Sequence, residues 1–156
     1  MPTASLQVSV WVRAAPETVF DQAADLTRHG EWSSDPVRIE AESAGPMGVG
    51  SRYRSTAQSH GMTFTSGLVI SHYERPTRFE FGGQDATANF RHVFCFKPVE
   101  GGTRVSRQMI LRLSLLQWLA FYFLLLPVRL PSARRTLQRL KEIVERDQAP
   151  LEVPHS

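Results

Sequence analysis

Nearly every strand-like stretch of this 156-residue chain has one apolar face, and only one long apolar segment, near the carboxyl end, could cover those faces. Leu6, Val8, Val10 and Val12 alternate with Gln7, Ser9, Trp11 and Arg13, the period-two pattern of a strand with a single buried side. A helix is a narrow cover for a wide sheet. A curved antiparallel sheet closed by one helix is expected to leave an internal hydrophobic cavity, and such a cavity suits a small ligand.

The order of elements follows from punctuation along the chain. Pro16-Glu17 predicts a helix start: the missing proline N–H would be unpaired there anyway, and the carboxylate complements the helix dipole. Val19, Phe20, Ala23, Ala24 and Leu26 make its buried stripe, and a short turn over His29 to Ser34 carries Trp32. Val37 to Glu42 reads as a strand. Gly45, Gly48 and Gly50 follow in the order GxxGxG, which fits neither a dinucleotide nor a P-loop fingerprint. Hairpins come next: Ser51–Ser59 with Met62–Tyr73 around His60-Gly61, Thr77–Gly82 after Pro76, and Ala88–Pro98 with Thr103–Leu113 around Glu100-Gly101-Gly102. The remainder reads as helix. Pro127 and Pro131 predict a kink or break, and Ser132 a fresh N-cap, so the cover is expected in two pieces. A single domain over 1–148 with a frayed tail over 149–156 accounts for the whole pattern.

In this order the chain resembles the START-like, birch-pollen-allergen-like (SRPBCC) superfamily, in its polyketide cyclase/dehydrase and lipid-transport branch. The stretches that carry the likeness are VSVWVRAAPETVFDQAADLTRHGEW near the start, GVGSRYR at 48–54, ERPTRFEF at 74–81, FCFKPVEGGTRVSRQM at 94–109 and TLQRLKEIVE at 136–145. The resemblance implies an α+β helix-grip fold, with about seven antiparallel strands wrapped round a long carboxyl-terminal helix and a hydrophobic cavity between them. It implies binding or transport of a small hydrophobic ligand (a lipid, fatty acid or polyketide-like molecule), or alternatively cyclase/dehydratase chemistry carried by His, Tyr or Arg side chains in the cavity.

Tight turns set the expected pairings, because side chains alternate faces. Phe96 falls opposite Val105, Phe94 opposite Arg107, His92 opposite Met109 and Phe90 opposite Leu111. Ala57 falls opposite Phe64, Ser55 opposite Ser66 and Tyr53 opposite Leu68, with Phe79 near His72 and Phe81 near Ile70. The apolar majority makes this the inner face. The expected ligand contacts are Tyr53, Ser55, Phe64, Ser66, Leu68, Phe81, Phe90, His92, Phe94, Arg107 and Met109, with Trp118 from the helix. His92 and Tyr53 are the candidate catalytic pair, since a histidine can serve as acid or base near neutrality. Each has a structural alternative: a core tyrosine bonded to backbone, serines kept small for helix passage, a satisfied core histidine. Arg107 is the sharpest case. A buried unpaired guanidinium is costly and no acid falls on the inner face, so Arg107 reaches solvent, pairs with an acid not placed by this pattern, or meets an anionic ligand.

Several function classes lack support in the residues. There is no HExxH, CxxC or other metal-ligand spacing and no GxSxG elbow, and no cofactor or metal is expected. Cys95 is the one cysteine; it sits among phenylalanines, reads as a small strand residue, and suits a reducing compartment, so a cytoplasmic protein is expected. No signal-peptide pattern opens the sequence. The net charge is +3, but Arg112 to Lys141 holds six basic residues and no acidic one. Without a nucleic-acid-binding signature, that stretch reads as a solvated face, an anionic membrane or an acidic partner. The apolar run Leu113–Leu126 is shorter than the about 20 residues of a spanning helix. Core, homodimer interface and peripheral membrane contact are its three readings.

Overall fold

A computed structural model of the chain describes residues 2–59, 61–84 and 89–148. The turn residue His60, the start of the strand expected at Ala88, and the tail 149–156 lie outside the described residues. The elements are β1 (Thr3–Val12), α1 (Pro16–Ala24), a 3₁₀ turn (Leu26–Glu31), β2 (Val37–Ala41), β3 (Arg52–Ser59), β4 (Met62–Glu74), β5 (Arg78–Gln84), β6 (Asn89–Val99) and β7 (Gly102–Arg112). The strands form one antiparallel sheet in the order β1-β7-β6-β5-β4-β3-β2. A single helix, Leu115–Gln148, completes the helix-grip. It comprises α2 (Leu115–Ala120), a π-helical turn (Phe121–Leu125) and α3 (Leu126–Gln148).

The expected register holds across both long hairpins. Ser59 pairs with Met62 and Val99 with Gly102, so each turn has two central residues, and Gly61 and Gly101 take the positive φ that such turns need. Every pairing expected between β3 and β4 and between β6 and β7 follows. One differs in the neighbouring hairpin. A bulge between Ile70 and His72 inserts a residue into β4, so Phe79 faces Tyr73 rather than His72. His72 is left half-buried, beside Glu74.

The helix also departs from expectation. It runs through Pro127 and Pro131 without a break. The π turn lies immediately before Pro127, and there the Leu126 N–H reaches back to the Phe121 carbonyl. Widening at this point accommodates backbone that the prolines cannot hydrogen-bond in α register. The wide turn also keeps a four-residue stripe (Trp118, Tyr122, Leu126, Leu130) on one side, partly offsetting the drift of a four-residue repeat on a 3.6-residue helix. The cap is Ser114, not Ser132: its hydroxyl accepts from the Gln117 N–H, and the Gln117 side chain accepts from the Ser114 N–H. Ser132 instead tethers the loop after the 3₁₀ turn, its Oγ 2.7 Å from that of Ser34, which in turn bonds Thr136.

The helix runs parallel to β1. Trp118 Nε1 donates to the Thr3 carbonyl at one end (3.1 Å), and Lys141 Nζ donates to the Trp11 carbonyl at the other (3.1 Å). Near that second end the core is closed. Phe20 of α1 meets Tyr73, Phe79 and Phe96 edge-on at 5.2–5.6 Å, and Leu137, Leu140 and Val144 are buried against the same cluster. Phe20→Ala is expected to cost about 3–5 kcal/mol in urea unfolding. Ser132→Ala, which removes a tether rather than a cap, should cost about 1 kcal/mol.

Candidate functional site

The inner face of the sheet is sealed at one end and open at the other. Phe79, Phe94, Phe96 and Val105 are fully or almost fully buried toward the β6–β7 turn. Ala57, Phe64, Phe90, Met109 and Leu111 share that face but stay half-buried. All five lie toward the end where the β3–β4 turn and the β7–α2 junction sit. The gradient leaves the inner face partly accessible to solvent at the end where α2 begins.

Polar side chains gather between these two ends. Tyr53 and Ser66 are buried on β3 and β4, and His92 on β6 is 8% exposed. The His92 ring stacks on Phe81 at 4.8 Å and meets Phe90 edge-on at 5.6 Å. Arg107 on β7 lies between Val8 and Phe94 in the ladder, its guanidinium 5.4 Å from the Phe94 ring. Arg107 Nη2 is 3.1 Å from His92 Nδ1, and Nε donates to the same nitrogen at 3.4 Å. That nitrogen therefore accepts, the imidazole is neutral, and its proton sits on Nε2.

Three further groups come from α1 and the 3₁₀ turn. His29 and Trp32 are three residues apart, and a 3₁₀ turn places i and i+3 on the same side. Their rings meet at 4.2 Å, and Trp32 reaches Phe94 at 6.2 Å. His29 Nδ1, Trp32 Nε1 and Gln22 Nε2 are enclosed without a hydrogen-bond partner. Sequence reasoning placed Trp32 in the turn but missed His29, because a 3₁₀ turn carries no helical or strand periodicity, and Gln22, because nothing local marks a polar residue of α1 as enclosed. The i, i+3 spacing of His29 and Trp32 was the available signal.

The electrostatics all have one sign. Among the described residues Arg107 has no carboxylate partner. Glu80 is buried on the opposite face, where it pairs with Arg78 and Arg91. Desolvation holds the Arg107 pKa down to about 10. Desolvation, then the Arg107 charge, pushes His29 down to about 3. The same two causes, with a smaller one from His29, hold His92 well below the usual imidazole value. Burial, with Asp25 and Tyr73 behind it, raises Tyr53 and keeps its hydroxyl protonated. The inner face thus presents one cation, two neutral imidazoles and neutral donors, with the Tyr53 hydroxyl, Ser66 hydroxyl and His92 Nε2 unpaired among the described residues.

Of the ligand contacts expected from sequence, Tyr53, Ser55, Phe64, Ser66, Leu68, Phe81, Phe90, His92, Phe94, Arg107 and Met109 share this face by register. Trp118, on the helix, is bonded to Thr3 and tilted against Tyr122 at 4.8 Å, where it clamps the helix to the sheet edge. Tyr53 and His92 stand on strands three apart, about 14 Å along the sheet, so they do not form a touching pair. Among the described residues no group of His, Cys, Asp and Glu could hold a metal ion.

The profile of one family, described as polyketide cyclase/dehydrase and lipid transport, matches residues 3–145. The chain belongs to this family. Solved structures share the fold. Protein TTHA0849 from Thermus thermophilus is 19% identical with a TM-score of 0.77, over 94% of this chain and 100% of that one. The di-domain ARO/CYC BexL from the BE-7585A biosynthetic pathway is 19% identical with a TM-score of 0.72, over 92% of this chain and half of BexL. Ara h 8.0201 is 13% identical with a TM-score of 0.65, over 93% and 99%. No curated protein matches.

The depressed imidazoles fix a pH dependence. The folded state holds them neutral while the unfolded chain takes up protons below about pH 6.5, so stability falls as pH drops from there toward 3. Imidazole NMR signals of His29 and His92 should stay constant between pH 8 and 5. In Arg107→Met the His92 midpoint should move up, because one of its two main depressing causes is gone.

Proposed function

We propose that this protein binds and carries a hydrophobic small molecule with one anionic end, a fatty-acid-like carboxylate being the simplest case. The apolar part would lie along Phe64, Leu68, Phe81, Phe90 and Met109, and the anionic oxygen would meet Arg107. The observation that carries this reading is Arg107 itself: an inward guanidinium among aromatic rings, with no carboxylate partner among the described residues. Arg107 is half-buried, so part of the cost of an unpaired buried charge remains, and a cation–π contact offsets about 0.5–2 kcal/mol of it. A ligand carboxylate would relieve the rest, and the unpaired donors of Tyr53, Ser66 and His92 would orient it. Family membership supports a hydrophobic ligand and leaves its identity open.

Catalysis is the second reading, favoured by the ARO/CYC structure BexL among the similar folds. The pKa directions weigh against it. A general base works best with a pKa near the working pH, and His92 lies well below that range. Tyr53 is too far along the sheet to complete an acid–base pair with it.

Titration calorimetry with a long-chain fatty acid and the matching alcohol tests the carrier reading. The acid should bind the wild type at least tenfold tighter, and Arg107→Met should erase that preference while leaving the alcohol nearly unchanged. Equal affinity for acid and alcohol in the wild type would sink the proposal. Conversion of a linear polyketone to a dehydrated ring, lost in His92→Phe, would establish the catalytic reading instead.

A further inference from the structure

The outward side of the helix from Leu115 to Val128 serves no contact within the fold. Leu116 is 77% exposed and Phe123 76%, and Leu115, Leu119, Leu124, Leu125 and Val128 are exposed beside them. The opposite side of the same helix is accounted for: Phe121 is buried, Trp118 is tied to Thr3, and the Tyr122 hydroxyl accepts from the Ser5 N–H at 3.4 Å. The three readings of this run therefore divide by residue. Leu113 and Phe121 are core, and the outward leucines and Phe123 are not.

A contiguous exposed patch of this kind marks an interaction surface. Its charge selects the partner. Arg112, Arg129, Arg134, Arg135 and Arg139 are all exposed around and beyond the patch, and no acidic residue lies between Arg112 and Lys141. A symmetric dimer through this face would set two copies of the same basic rim against each other. An anionic surface complements it. Apolar residues on one side of a helix, an amphipathic Trp/Tyr pair at its flank and arginines beside them are the features of a helix lying in a membrane interface.

We infer that the outward face of Leu115–Val128 docks onto an anionic lipid surface, with Leu116, Phe123 and Leu124 entering the acyl boundary and Arg129, Arg134 and Arg135 meeting lipid phosphates. The contact is peripheral. The 34-residue helix is long and apolar enough in one window to cross a membrane by length and composition, but Ala133, Leu137, Leu140 and Val144 are buried in the domain core. The remaining stretch, Leu115 to Leu130, reaches about 24 Å, short of a hydrocarbon core of about 30 Å. Docking in this orientation brings the β7–α2 junction, where the inner face is only half-buried, beside the lipid. The inference stands on the outer surface alone, whatever the inner face binds.

Flotation with vesicles of phosphatidylcholine alone, and of equal parts phosphatidylcholine and phosphatidylglycerol, tests it. The wild type should float with the anionic vesicles and much less with the neutral ones, and added salt should release it. Leu116→Ser/Phe123→Ser should weaken anionic-vesicle binding on the order of tenfold or more. Arg134→Glu/Arg135→Glu should weaken it at least tenfold. These positions are exposed, so an unchanged melting temperature should accompany both losses. Failure of the wild type to float overturns the inference, as does flotation that neither variant reduces. A concentration-dependent dimer that Leu116→Ser/Phe123→Ser makes monomeric, without flotation, would assign the face to a second copy.

Discussion

The long helix can close only as much of the sheet as its buried stripe reaches, and the rest of the architecture depends on that limit. Leu137, Leu140 and Val144 lie over the end where Lys141 and Glu145 bond the carboxyl end of β1 and the residue after it. There α1 adds Phe20, and the aromatic layer of Phe79, Phe94 and Phe96 is fully enclosed. Toward the other end the helix holds the sheet by its edge, through Trp118 and Tyr122 on β1. An edge clamp does not fill the concave face, so Phe64, Phe90, Met109 and Leu111 stay half-buried. The gradient from sealed to open follows from one helix covering a seven-stranded sheet.

The polar groups stand along that gradient, and their electrostatics follow from where they stand. A guanidinium at this depth loses solvent, and it lowers the proton affinity of every imidazole near it. With no acid on the inner face among the described residues, nothing in the protein reverses the effect. On the proposed reading, a site of this sign suits an anion and is poorly prepared to accept a proton. One arrangement of charge thus favours binding and disfavours base catalysis, which is why the two readings separate on the pKa directions rather than on the fold.

The register was legible because short turns constrain it. Val99–Gly102 and Ser59–Met62 each allow one pairing, and alternation then assigns Tyr53, Ser66, His92 and Arg107 to a single face. The bulge at Ile70/His72 has no such signature: it is a tertiary adjustment of a long strand to a curved sheet, and it exchanged Tyr73 for His72 opposite Phe79. The break allowed for at the prolines does not occur, for a related reason. Local rules count the lost hydrogen bonds at Pro127 and Pro131, but not the π turn that accommodates them or the buried stripe that continues through both. His29 and Gln22 escaped because nothing local marks a polar residue as enclosed. Their burial comes from the sheet and helix closing over α1 and the 3₁₀ turn.

The same energetic reasoning separates what the fold requires of the helix from what it does not. Helix formation at Leu115 is secured by the Ser114–Gln117 capping box, and attachment by Trp118, Phe121 and Tyr122. Polar residues at 116, 119, 123, 124 and 128 would leave every one of those interactions in place. Burial gains almost nothing from side chains that stay in water, and an exposed apolar patch favours aggregation. The fold therefore supplies no reason for leucine and phenylalanine at these positions. The basic rim that would hold copies apart would also give the patch the inferred preference for an anionic surface, so both effects would follow from the same arginines.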